Sequence, residues 1–62
     1  MNYIIEHKEH SGLFWDCIKA DFDVIEYADT YKNLEDANAE LIRTNGQGFV
    51  RALEDGEMEV AE

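Results

Sequence analysis

Between residues 21 and 40 the chain reads DFDVIEYADTYKNLEDANAE, seven acids against a single lysine, with apolar residues threaded between them. Like charge at this density repels itself in a compact state. The segment therefore constrains both the elements that can form, which must be amphipathic, and the kind of partner that such a surface fits.

A chain of 62 residues reads as one compact domain, residues 1 to 62. A domain this small buries only about 60% of the surface its unfolded chain exposes, so the core must be small and a buried catalytic chamber has little room. With 15 acids against 5 bases and a net charge of -10, the composition argues against nucleic acid and anionic membrane as direct partners, because both require lysine and arginine to displace counterions. A basic partner fits. A hydrophobic fraction of 45%, including three phenylalanines, three tyrosines and a tryptophan, is too high for an acidic disordered tail.

Cys17 is the sole cysteine, so no internal disulfide can form, and MNYIIEHKEH has no apolar run of signal-peptide or transmembrane length. These features predict a cytoplasmic, reducing location. No proline, linker or repeat marks a domain boundary.

YIIEHKEH and LFWDCIKA flank Ser11-Gly12, two β-prone runs around a glycine turn, and predict an N-terminal hairpin. In DFDVIEYA, Asp21 and Asp23 alternate with Phe22 and Val24 as in a half-buried strand, while Phe14, Ile18, Phe22 and Ile25 also fit a helical stripe. Branched and aromatic residues favour the strand. Asn33 is a cap for a helix in LEDANAELIRT, with Leu34, Ala37, Leu41 and Ile42 on one stripe, Glu35 and Asp36 in the first turn, and Asn45-Gly46 as the stop. Asp55-Gly56 lies between two alternating runs and predicts a second hairpin that sets Glu54 opposite Glu57, a repulsive pair. The expected fold is α+β, a small antiparallel sheet with one helix packed on a face, in the order β-β-β-α-β-β.

On a strand Asp21 and Asp23 lie about 6.7 Å apart, and the phosphates of one DNA strand advance by about 3.4 Å. Alternate acids can thus echo every second phosphate. Glu26, Asp29, Glu35, Asp36 and Glu40 extend this track towards the helix, and Glu54 and Glu57 are further candidates for partner binding. The plainer reading is a solvated polar face, but Lys8, Lys19, Lys32, Arg43 and Arg51 are too few to pair the acids.

Other constellations are weaker. Met1, Glu6, His7, Glu9 and His10 contain metal-ligand types, yet on a strand His7 and His10 point to opposite faces and no second cluster completes a site. Cys17 lacks the electropositive setting that a reactive thiolate needs, which favours a small core residue. Paired carboxylates carry no information in so acidic a chain. No metal, cofactor or enzymatic activity is expected. Trp15, Tyr27 and Tyr31 belong by default to the core or its edge, and an exposed one beside the acids would suit an interface anchor.

Phe14-Trp15, Tyr27-Ala28, Leu34 to Ala37 and Gly48-Phe49, spread over residues 13 to 54, give the chain a pattern that resembles the small podophage proteins that inhibit bacterial RNA polymerase. The resemblance implies inhibition that depends in part on basic residues of the last strand, where Arg51 is the match. In size and charge the chain is also similar to phage-encoded anti-CRISPR proteins and DNA mimics. The resulting expectation is a non-enzymatic inhibitor, acting in the host cytoplasm, that binds the basic nucleic-acid-binding surface of a CRISPR effector, a restriction enzyme or RNA polymerase. The alternative is a small acidic regulatory or structural module whose charge serves solubility and which dimerises through a sheet edge.

Overall fold

The structure is a computed structural model, described here over residues 2 to 53. Four strands form one antiparallel sheet: β1 (Tyr3–His7), β2 (Phe14–Asp16), β3 (Asp21–Asp23) and β4 (Gly48–Ala52), in the spatial order β3-β2-β1-β4. Among the described residues one α-helix, α1 (Leu34–Leu41), lies between β3 and β4 in sequence. The expected α+β class and the order β-β-β-α-β are therefore present. The second hairpin, with Glu54 and Glu57, falls outside the described residues.

The sheet is organised by its central strand. Consecutive strand residues face opposite sides, yet Ile4 and Ile5 are both 0% exposed, so both faces are covered at β1. On one face the register sets Val50 beside Ile5 and Phe22 beside Trp15. The Trp15 and Phe22 rings meet edge to face at 5.2 Å. The helix packs on this side, burying Ala37, and the Trp15 indole Nε1–H donates to the Glu40 carboxylate at 2.7 Å. Gly48 is required here: a Cβ at this position would lie 2.8 Å from Ile5 Cγ2. The opposite face carries Ile4, Phe14 and Arg51. Arg51 lies over the Phe14 ring and donates from Nε to Glu6 at 2.6 Å.

The helix begins and ends where its local chemistry dictates. The Asn33 side chain accepts the Asp36 N–H at 2.8 Å, and Asn45 and Gly46 take positive φ angles of 57° and 78°. Between them the last turn, Ile42–Thr44, tightens to a 3-10 helix. That change of pitch takes Ile42 off the expected inner stripe, leaving it 79% exposed while Thr44 is 1% exposed. Thr44 Oγ1–H donates to the Leu41 carbonyl at 2.7 Å, which satisfies its polar atom in the core.

Strand β3 is shorter than DFDVIEYA suggests. Ile25–Tyr27 form a 3-10 turn instead, and the helical stripe through Phe14, Ile18, Phe22 and Ile25 is not formed. Continuing the ladder would set Ile25 against Gly12, but Gly12 has φ 93° and gives its N–H to Glu6 at 3.2 Å. The strand therefore has no further rung to join. Segment 28–31 returns across the gap: Tyr3 and Tyr31 exchange two backbone hydrogen bonds of 2.7 and 2.9 Å, on the side of β1 that β2 no longer occupies.

The β2–β3 connection contains a local conflict. Ala20 has φ 56°, the left-handed region that disfavours a Cβ. Ala20→Gly should therefore raise the unfolding free energy by about 0.5–1 kcal/mol, measured by urea denaturation. A loss of stability would show that the turn is not strained.

Candidate functional site

The acids divide into two groups according to what their carboxylates do. Asp16, which is 7% exposed, accepts the Ile18 N–H at 3.0 Å and the Lys19 N–H at 3.4 Å, closing the β2–β3 turn on itself. Asp29 accepts the Cys17 N–H at 2.6 Å. Glu40 joins the Trp15 indole to Arg43, whose NH1 donates to it at 2.7 Å. Glu6 holds Arg51 and the Gly12 N–H. Asp23 binds the Lys19 ammonium, which holds its carboxyl below the usual range; the same contact raises Lys19.

The second group faces water. Glu9 in the first hairpin turn, Asp21 at the start of β3, Glu26 in the 3-10 turn, and Glu35 and Asp36 in the first turn of α1 are exposed and form no ion pair among the described residues; Asp21 accepts the N–H of its neighbour Phe22 at 2.8 Å. The predicted track is therefore divided by function. Asp21 and Asp23 do share a face of β3, but Asp23 is already matched to Lys19, and Asp29 and Glu40 serve the fold. Glu54 and Glu57 lie outside the described residues.

A sign conflict is nevertheless built into the sheet. Asp16 and Asp21 are direct cross-strand partners, an arrangement of like charges that is normally destabilising. It is the counterpart, within the described residues, of the repulsion expected between Glu54 and Glu57. Three of the five bases, Lys19, Arg43 and Arg51, are held in ion pairs. Only Lys8 and Lys32 remain outside ion pairs among the described residues.

The histidines sit differently from the strand expectation. The strand ends at His7, and the turn brings His10 back so that the rings lie 4.7 Å apart. His7 Nδ1 accepts the Glu9 and His10 N–H groups at 3.0 and 3.2 Å, which puts the proton of the neutral ring on Nε2. With Lys8, Glu9, Gly46 and Gln47 they line a shallow cavity of about 290 Å³. No group of three histidine, cysteine or acidic side chains among the described residues could hold a metal ion.

Cys17 is only partly buried. Its hydrogen bond to the Asp29 carboxylate, with burial and the charges of Asp29 and Glu40, pushes the thiol up, so it keeps its proton and is a poor nucleophile. Of the three aromatic candidates, Trp15 is core, Tyr31 is half-buried and Tyr27 is 60% exposed, with the Lys19 ammonium 5.3 Å from its ring centroid. Ile18, 89% exposed, is a further surface residue, in keeping with the preference for a strand over the helical stripe. No helix among the described residues is long and apolar enough to cross a membrane. Comparison with protein-family models, curated proteins and solved structures finds no match.

Tyr31 Oη is buried and has no hydrogen-bond partner among the described residues. Burial, together with the charges of Glu40 and Asp29, pushes its phenol well above the usual tyrosine range. The folded state thus keeps this proton at a pH where an unfolded tyrosine, at about 10, has lost it. Stability present below that pH is lost as pH rises. Tyr31→Phe should gain about 1 kcal/mol at neutral pH, since an unpaired buried hydroxyl is removed, and should retain its fold to higher pH than the parent. Circular dichroism across an alkaline titration reads both; identical alkaline transitions would place the Tyr31 hydroxyl in water.

Proposed function

We propose that the protein is a non-enzymatic inhibitor that occupies a basic, nucleic-acid-binding surface of another protein in the cytoplasm of a host cell. The observation that carries this reading is the separation of charge. The cations are largely satisfied internally by Asp23, Glu40 and Glu6, while Asp21, Glu26, Glu35 and Asp36 stay exposed and unpaired.

A surface kept negative for solubility alone needs only a modest net charge, and a net charge of -10 on 62 residues exceeds that need. Such a field speeds encounter with a basic partner and disfavours self-association and nucleic acid. Enzymes that grip nucleic-acid backbones offer the complementary surface: a CRISPR effector, a restriction enzyme or RNA polymerase. The exposed carboxylates would stand where phosphates bind.

The structure determines which acids a test should change. Asp29 and Glu6 hold backbone amides of other segments, so their loss would confound folding with binding, whereas Asp21 accepts the N–H of the adjacent Phe22, a bond that an asparagine oxygen can also accept. The variant that combines Asp21→Asn, Glu26→Gln, Glu35→Gln and Asp36→Asn should keep the parent's far-ultraviolet circular dichroism spectrum. In nucleic-acid-binding assays against the three enzyme classes, the parent should displace nucleic acid from at least one, and inhibition should weaken several-fold as salt rises and screens exposed charge over about 8 Å. The four-fold variant should lose inhibition. A variant as potent as its parent, or inhibition indifferent to salt, would refute phosphate mimicry.

A further inference from the structure

We infer that the tip of the β2–β3 hairpin and the 3-10 turn after β3 form the contact epitope, with Ile18 and Tyr27 entering an apolar cleft rimmed by lysine and arginine on the partner protein. This rests on the function proposed above and gives it a location.

Single exposed apolar residues are ordinary; what distinguishes Ile18 is how firmly it is presented. All four amides of the connecting loop are hydrogen-bonded. Cys17 N–H goes to Asp29 Oδ2, Ile18 and Lys19 N–H to Asp16 Oδ1, and Ala20 N–H to the Asp16 carbonyl at 2.8 Å. A loop so constrained cannot fold Ile18 back onto the core, and the residue stays 89% exposed. Lys19 then ties the loop to the following turn, since its ammonium binds Asp23 and lies over the Tyr27 ring. The residue next to Ile18 thus reaches from the loop tip to Tyr27, and Val24, 44% exposed, belongs to the same turn region.

The same short stretch gathers several local conflicts: the left-handed Ala20, the Asp16–Asp21 like-charge pair and the exposed Ile18, Val24 and Tyr27. Departures from local consistency are expected at functional sites. Tyrosine is enriched among the anchors of protein interfaces, and holding it and Ile18 in place before binding lowers the ordering cost.

Charge decides the occupant. Exposed Asp21 and Glu26 lie between Ile18 and Tyr27 in sequence, so the rim of a complementary cleft is basic. A second copy would bring the same carboxylates together and is disfavoured.

The test uses the full chain, labelled with nitrogen-15, and two peptide probes of equal positive charge: one amphipathic with alternating lysine and leucine, the other oligolysine. The Lys/Leu peptide should bind about tenfold more tightly, a difference of about 1.4 kcal/mol. Its shift perturbations should concentrate on the amides of Cys17 to Tyr27. Ile18→Ser with Tyr27→Ser, two exposed positions, should abolish that advantage while leaving oligolysine binding unchanged. Equal affinity for both peptides, or perturbations that include Glu9, Glu35 and Asp36 to the same degree, would overturn the epitope but leave the basic-partner reading standing. No binding of either peptide at low salt would overturn both. Concentration-dependent shifts at Ile18 and Tyr27 without peptide would assign the patch to a second copy and overturn the epitope.

Discussion

The burial of both Ile4 and Ile5, neighbours that face opposite sides of the sheet, is the constraint on which the rest of the structure depends. It requires cover on each face of β1 from a chain whose described core otherwise consists of Phe14, Trp15 and Ala37. So small an apolar core leaves much of the local geometry to hydrogen bonds, and the chain supplies these from its acids. Asp16 closes the β2–β3 turn, Asp29 fixes its entry at Cys17, Glu40 ties the helix to Trp15, and Glu6 reaches Arg51 and the Gly12 amide. A carboxylate that accepts backbone or indole N–H groups is a strong acceptor, and here it positions segments that apolar contact alone would leave loose.

This use of carboxylates changes how the acidity is understood. Part of the negative charge belongs to the scaffold, and its members are recognisable because their oxygens bind a cation or a residue two or more positions away. The remainder, Glu9, Asp21, Glu26, Glu35 and Asp36, forms no ion pair among the described residues; Asp21 accepts the N–H of the adjacent Phe22 at 2.8 Å, and Glu35 and Asp36 also favour the positive end of the helix dipole. It is this remainder that repels itself and that a basic partner would neutralise. The proposal of a phosphate-mimicking inhibitor rests on that distinction; the exposed Ile18 and Tyr27 would add the affinity that charge alone, which favours rate and selectivity, gives less readily.

Elements with local signals were legible in the sequence. Asn33 and Asn45-Gly46 bracket the helix because capping and left-handed termination depend on residues a few positions away. Gly12 marks the first hairpin for the same reason. Strand β3 was legible only as far as Asp23, because the end of a strand depends on whether its neighbour offers another rung, and Gly12 does not. Ile42 leaves its expected place on the stripe and Thr44 is buried because a tightened last turn rotates the inner face, which a fixed helical period cannot anticipate. Among candidate site residues, Asp21 and Asp23 share a face as alternation requires. That Asp23, Asp29 and Glu40 serve the fold could not be read from composition, since their partners Lys19, Cys17 and Trp15 are set by the tertiary arrangement.

The central claim is that the exposed acids are held against the protein's own stability. The thermal midpoint of the isolated protein as a function of sodium chloride tests this most directly, because salt screens exposed repulsion more than it weakens partly buried pairs. The account predicts a midpoint that climbs from low to moderate salt. A midpoint that falls would show that the ion pairs of Lys19, Arg43 and Arg51 outweigh the repulsion, and that the negative surface carries no unresolved charge for a partner to neutralise.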